Sequence, residues 1–426
     1  MINKFIYWLG VYFRNPSFRR VEQELNKSYY LSSKDLKDIQ NKKLNDTLKF
    51  AYHNSSYYKS ILDLHCYDPK ITYNIEFLSQ LPILTKDVLI EKNEEIHTIS
   101  NHKFKKLFFS ETSGSTGQAL TFYKDERWDS YNRASISRGM KLFGVNVWDK
   151  NGYFWGFNHS GLSLFKVRFF DSLMNRFRLF SYSEKPLEKF LDKCKKAGYL
   201  SGYSSMIYEV AKLANKKNIQ LSNIKFIKGT SEKIYDFYQD EVQRAFGQKI
   251  VSEYGSAESG IIAFECPHGN MHVNEECCVL EVIEGRAIVT NLVARSFPTI
   301  RYDLGDYVSV EDVECSCGRK SKVISDITGR VGKNIVGKKQ NYPSLTLYYV
   351  FKNMAVEHST NIAYRCEQHF KGQLVVYYES KLTSAQMVLL ESEFSKYFND
   401  DLQVEYHYVT NIRPSNRKLK DFESYL

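Results

Sequence analysis

Residues 110–118, Ser-Glu-Thr-Ser-Gly-Ser-Thr-Gly-Gln, constrain this chain more than any other stretch, because they crowd hydroxyls and two glycines between two apolar runs. Leu107-Phe108-Phe109 before them and Ala119 to Tyr123 after them read as the arms of a hairpin. The backbone N–H groups of such a turn, with the hydroxyls of Thr112, Ser113, Ser115 and Thr116, make a concavity suited to an anion. Gly114 and Gly117 give the backbone freedom that a tight cradle needs. No Gly-Lys-Ser/Thr closes the loop, which excludes a Walker-type phosphate loop. Standing alone, an ordinary Ser/Gly turn fits the same pattern.

Three later blocks give the loop its context. Tyr254-Gly255-Ser256-Ala257-Glu258 follows the apolar strand candidate Ile250-Val251; Arg301 to Asp306 reads Arg-Tyr-Asp-Leu-Gly-Asp; Asp326 to Arg330 reads Asp-Ile-Thr-Gly-Arg. With the Thr-Ser-Gly-Ser-Thr-Gly loop, their order resembles that of the adenylate-forming superfamily, the acyl-CoA synthetases and their relatives. The resemblance implies that Ser113, Gly114, Ser115, Thr116 and Gly117 cradle ATP phosphates, with Thr116 also catalytic. It implies that Tyr254, with Gly255 and Ser256, stacks on adenine, that Asp306 accepts the ribose hydroxyls, and that Arg330 lies over ribose and phosphates. Glu258 would hold magnesium, an ion that favours one or two carboxylates plus substrate phosphate oxygens.

Within the superfamily the chain most resembles the phenylacetate-CoA ligase and CapK-like branch along nearly its whole length. The segment from Ala51-Tyr52 to Tyr57-Tyr58-Lys59, the turn Gly202-Tyr203-Ser204-Ser205 and the loop Gly229-Thr230-Ser231-Glu232 carry that likeness. Relatives end in a Gly-Lys pair whose lysine reaches carboxylate and α-phosphate. Here Lys418 aligns best, with Arg417 in place of glycine and Lys420 as the competing choice.

The cysteines carry a second chemical signal. Cys315-Ser316-Cys317-Gly318 pairs two thiolates in a turn, and Cys266 opens Cys-Pro-His-Gly-Asn-Met-His. Three thiolates and one imidazole complete a tetrahedral structural zinc site, with His268 and His272 as the candidate fourth ligands. His272 precedes Val273, where a strand would fix its ring, and its distance from Cys266 matches zinc-bearing CapK-like relatives, so it is preferred. Unlinked reduced cysteines are the simpler alternative.

At 426 residues the chain exceeds one simple core, and 43% apolar with 25% charged residues is ordinary for a globular protein. Short apolar strands alternate with helical stretches from about 105 to 254, an α/β pattern, and β-rich runs fill 278–311. Helices are expected at 125–143, 204–217, 231–246, 344–352 and 384–398, and strands at 362–366, 373–378 and 403–408. The expected fold is an α/β adenylate-forming large N-terminal domain, 1–330, with a β subdomain and the zinc-stabilised region 266–317. A small α+β C-terminal lid, 331–426, follows a hinge at Gly332-Lys333.

The net charge of +10 comes from lysines scattered in mixed-sign stretches, which argues against nucleic acid as a partner. Met1 to Arg20 alternates aromatics with bases. Its apolar run falls short of the roughly 20 residues that span a bilayer, so a helix packed on the large domain and peripheral membrane attachment are the readings left open. The resemblance implies a cytoplasmic ligase that uses ATP, magnesium and structural zinc to activate a small carboxylic acid through an acyl-adenylate. The acyl group would then pass to CoA, an amine or a sugar, in bacterial capsule or O-antigen synthesis. A phenylacetate-type aryl-CoA ligase and a catalytically silent nucleotide-binding subunit are the alternatives. His159, after Asn158, is a further candidate beside the expected acid pocket, bounded by the Tyr153 to Phe157 strand and the Tyr203 and Gly229 loops.

Overall fold

The structure, a computed structural model, describes residues 2–112, 120–154, 161–179, 184–230, 234, 236–328, 335–342, 344–358, 360, 362, 364–379, 381–410 and 422–426. Its described residues fall into two compact units, the larger built from most of residues 2–328 and the smaller mainly from residues 335–426.

An eleven-stranded sheet organises the larger unit. One half is parallel: Arg176–Arg178, Asn151–Phe154, Tyr199–Tyr203, Phe226–Thr230 and Ile250–Ser256 lie side by side in that order. The three central ones, Asn151–Phe154, Tyr199–Tyr203 and Phe226–Thr230, are buried along nearly their whole length, as strands covered on both faces must be. The helices Glu184–Cys194, Ser204–Lys216 and Asp236–Phe246 cover one face with Phe190, Ile207, Val210 and Val242. On the other face Ile136, Met140 and Phe143, from the end of helix Glu126–Leu142, pack with Tyr199, Phe226 and Val251. The helix expected to begin at 231 begins at Asp236, and residue 234 is not helical.

Strand Ile250–Ser256 is the junction of the two halves. It pairs in parallel with Phe226–Thr230 through Ile250 to Ser252, then turns antiparallel partner to Gly260–Glu265 from Glu253 onward. Beyond it the sheet continues through Met271–Val273, Val323–Thr328, Tyr302–Glu311, Arg286–Asn291 and Cys278–Ile283. The β-rich stretch read at 278–311 is thus the antiparallel half of one continuous sheet. Leu107–Glu111 pairs antiparallel with Thr121–Asp125 in a separate hairpin, as the two apolar runs implied. It closes with Thr112 N–H donating to Leu120 O at 2.9 Å.

In the smaller unit a four-stranded sheet runs in the order Gln403–Tyr408, Gln373–Tyr378, Tyr364–Gln368 and Phe422–Ser424. Helices Leu345–Glu357 and Ser384–Phe398 bury Leu347, Val350, Leu390 and Phe394 in a core with Leu374 and Val376. Thr383 and Gln386 form a reciprocal capping box at the start of the second helix.

Candidate active site

The carboxyl ends of parallel strands are where ligands bind open α/β sheets, and the Tyr254 block sits at such an end. A bulge between Tyr254 and Gly255 re-aims the strand. A Cβ on Gly255 would lie 2.2 Å from Gly260 O, so the chain can turn this tightly only with glycine there. Tyr254 Oη donates to Asp306 Oδ2 at 3.0 Å, which joins two of the sequence blocks across 52 residues. Asp306 follows Gly305, whose φ of +75° is costly for other residues, and Gly305 N–H donates to Asp303 Oδ1 at 3.0 Å.

Glu258, which ends the same sequence block as Tyr254, is 1% exposed. Its main-chain carbonyl accepts from Asn291 Nδ2 and Thr299 Oγ1, each at 3.3 Å, so the turn is fixed from inside. Its carboxylate accepts from Tyr302 Oη at 3.4 Å, a long and neutral bond for a buried anion. Lys124, on the outgoing arm of the hairpin, is near enough to feel that charge, while burial holds its ammonium below the ordinary lysine value. A buried carboxyl group with this one long side-chain bond among the described residues fits a cation ligand. Ser113, Gly114, Ser115, Thr116, Gly117, His159, Arg330, the Gly332-Lys333 hinge, Arg417, Lys418 and Lys420 lie outside the described residues.

Sequence reasoning missed a second charged feature. Lys228 Nζ bonds both Oε atoms of Glu253 at 2.7 Å, with the two side chains only 9% and 6% exposed. Thr230 Oγ1 adds a donor to Glu253 at 3.4 Å. Tyr153, Ser201 and Lys228 stand in register on three neighbouring parallel strands. The Arg176 and Arg178 guanidinium carbons lie 4.0 and 4.8 Å from the Tyr153 ring centroid. Only the parallel register brings these residues together, and no spacing in the sequence signals it.

Cys266, His272, Cys315 and Cys317 converge with all four ligand atoms within 4.8 Å of one another. His272, and not the exposed His268, is the histidine of this cluster. Cys266 and Cys315 sulfurs are 3.6 Å apart, and Cys317 Sγ is 3.2 Å from His272 Nε2. A tetrahedral zinc ion with Zn–S near 2.3 Å spaces its sulfurs about 3.8 Å apart, so the donor set fits. Ser321 O lies 3.4 Å from His272 Nδ1, where it accepts a ring N–H and leaves the Nε2 lone pair toward the sulfurs. Burial and Arg319 lower the His272 pKa to about 4, which keeps the ring neutral as a ligand must be. Burial opposes ionisation of Cys315, but Asn270 Nδ2 at 3.2 Å and Cys317 N–H at 3.4 Å hold its thiol below the ordinary value. Cys266, more deeply buried, is pushed up to about 12.

Comparison with known proteins adds a class and a relative. No family model matches the chain. Among solved structures, 2-hydroxyisobutyryl-CoA ligase in the postadenylation state with 2-HIB-AMP superposes with a TM-score of 0.61 at 14% identity, covering 94% of this chain and 90% of that one. The same ligase with 2-HIB-AMP and CoA in the thioesterification state gives 0.59 at 14% identity, over 94% and 91% of the two chains. The chain therefore has the fold of the adenylate-forming acyl-CoA ligases. In sequence it is similar to Protein CapK of Staphylococcus aureus, 26% identical over 338 residues, 73% of this chain and 72% of that protein. The chain thus shares its fold with CoA ligases and is similar in sequence to CapK. No helix among the described residues is long and apolar enough to cross a membrane.

Proposed function

We propose that this chain activates a carboxylic acid with ATP. The acid's carboxylate oxygen attacks the α-phosphorus, the bond to the β-phosphate oxygen breaks, and acyl-adenylate and pyrophosphate result. The acyl group then passes to CoA or another nucleophile, with AMP leaving. The observation that carries this reading is the Tyr254–Asp306 pair, bonded at 3.0 Å in a fold shared with a ligase whose structure holds 2-HIB-AMP.

In this reading Tyr254 stacks on adenine beside Gly255 and Ser256, and Asp306 accepts the ribose hydroxyls. The Ser113–Gly117 loop, with Thr116, holds the phosphates through backbone N–H and hydroxyl groups, and Arg330 closes over them. Glu258 would hold magnesium, which when bound supplies positive charge to the phosphate oxygens. Residues 1–330 form the nucleotide-binding domain, and residues 331–426 a lid that carries Lys418 in for adenylation and out for acyl transfer. Likeness to CapK supports a cytoplasmic role in bacterial surface-polysaccharide synthesis, with CoA, an amine or a sugar as acceptor. The buried Lys228–Glu253 pair and the Tyr153 ring between two arginines favour an acid bearing polar groups over a plain aryl acid.

Pyrophosphate release across aromatic, fatty, hydroxy and amino acids, with hydroxylamine as trap, tests the reaction. Turnover with one acid class is expected. ATP binding without turnover on any acid would leave the silent nucleotide-binding subunit as the better account. Asp306→Ala should raise the KM for ATP roughly ten- to hundredfold, since hydrogen bonds to a charged group contribute about 1.5–3 kcal/mol. An unchanged KM would remove Asp306 from the ribose site.

We further propose that Cys266, His272, Cys315 and Cys317 bind structural zinc, which when bound ties the turn after Glu265 to the turn before Arg319. Purified protein should contain one zinc per chain, and Cys317→Ser or His272→Ala should lose it together with thermal stability. Wild-type protein folded and free of metal would refute the site.

A further inference from the structure

The N-terminal helix Ile2–Arg14 is apolar on two opposite sides. Tyr7 and Trp8 turn inward, with ring centroids 5.5 and 6.1 Å from Trp148 and 6.3 and 5.9 Å from Phe18. Ile2, Phe5, Leu9, Tyr12 and Phe13 recur at the spacing of one helical face and turn the other way, 47–70% exposed. A helix on a protein surface ordinarily gives its outer face to charge. This one has no acidic residue, and its bases are Lys4 and Arg14.

A second helix, Gly161–Leu173, packs beside the first. It exposes Phe165, Phe169 and Phe170 by 50–72%. Lys166 and Arg168 are exposed among these rings. Its one acid, Asp171, is buried and paired with Arg178 at 2.8 Å and Arg176 at 3.7 Å. Arg19 and Arg20 follow on the next helix, also exposed, with Arg19 over the Trp8 ring at 5.0 Å. The two helices therefore show water a run of aromatic rings set among bases, with no exposed acid on either.

We propose that these two helices form one docking face for an anionic phospholipid surface. Charge complementarity selects that occupant: rings enter the boundary between headgroups and acyl chains while the bases meet lipid phosphates, as in helices that lie along a membrane. The net charge of +10 adds long-range attraction to such a surface. The proposal concerns where the protein works and does not depend on its reaction.

Flotation of the full chain with vesicles of phosphatidylcholine alone, or of phosphatidylcholine with one quarter phosphatidylglycerol, tests it. Binding to the anionic vesicles is expected, at least tenfold stronger than to the neutral ones and weakened by salt. Phe5→Glu with Leu9→Glu, and separately Phe165→Glu with Phe169→Glu, should each reduce binding at least tenfold with circular dichroism unchanged. Lys4→Glu with Lys166→Glu should reduce binding to the anionic vesicles alone and guards against misfolding of the first pairs. No binding to anionic vesicles at low salt overturns the proposal, as does unaltered binding after the Phe165 and Phe169 changes. Concentration-dependent self-association abolished by these variants, without vesicle binding, would assign the face to a second copy of the chain and equally overturn it.

Discussion

Lys418→Ala is expected to lower acid-dependent pyrophosphate release by roughly a hundred- to a thousandfold, the usual loss when one donor aimed at developing charge is removed. The reason lies in the charges that must meet. A carboxylate approaches a triphosphate, and the pentavalent α-phosphoryl group holds both anions within bonding distance. In the proposed site Glu258 adds a further, buried carboxyl group. A flexible ammonium that reaches carboxylate and α-phosphate together offsets this repulsion when the bond forms and contributes less to ATP binding alone. The loss should therefore fall on kcat, with KM for ATP nearly unchanged. Acyl transfer from supplied acyl-adenylate, which forms no bond at phosphorus, should survive the substitution. Lys420→Ala is the companion variant, because Lys420 is the competing choice for the same role. Loss of adenylation only in the Lys420 variant would move the role to Lys420. Full activity in both would remove the C-terminal lysines from the reaction.

How much of this was legible in the sequence depends on how far apart the interacting residues lie. Helix Ser384–Phe398 and strands Gln373–Tyr378 and Gln403–Tyr408 have the bounds their patterns gave, because helical periodicity and short runs rich in Val and Tyr are local signals. The convergence of Cys266, His272, Cys315 and Cys317 was legible too, since two short cysteine motifs can be matched without knowing the path between them. Strand Phe422–Ser424 was not. It is three residues long and exists through parallel pairing with Tyr364–Gln368, more than fifty residues earlier. Lys228 and Glu253 look like two ordinary charges until the pairing of their neighbouring strands brings the side chains together. Patterns over 10–15 residues report the local backbone, whereas buried charge pairing is a property of the assembled sheet.

The largest loss of stability should follow Glu276→Ala, about 3–5 kcal/mol, because it strands two guanidinium groups inside the larger unit. Glu276 is 1% exposed and bonded by Arg138 at 2.7 Å, Arg319 at 2.7 Å and Ser28 Oγ at 2.8 Å. The three charged side chains come from helix Glu126–Leu142, the turn after Asn274 and the turn after Cys317, so one carboxylate ties three segments together. Tyr29 lies against both arginines, 5.7 and 5.0 Å from ring centroid to guanidinium carbon, and donates from Oη to Cys317 Sγ at 3.8 Å. The cysteine–histidine cluster and the triad therefore share a wall. Burial alone would raise the Glu276 pKa, but the two arginines hold it well below the ordinary carboxylate range. With the folded value depressed, the stabilisation is fully present above the unfolded carboxylate pKa, near 4.3, and is lost as pH falls toward the lower folded value. Urea denaturation at pH 7 measures the loss. A second arm is needed, since total stability of about 5–15 kcal/mol leaves the single variant near unfolding. Glu276→Leu with Arg138→Met and Arg319→Met removes all three charges at similar volume, and that triple variant should be more stable than Glu276→Ala. If the triple variant were the less stable of the two, the cost would lie in shape and hydrogen bonding, and the stranded-charge explanation would be wrong.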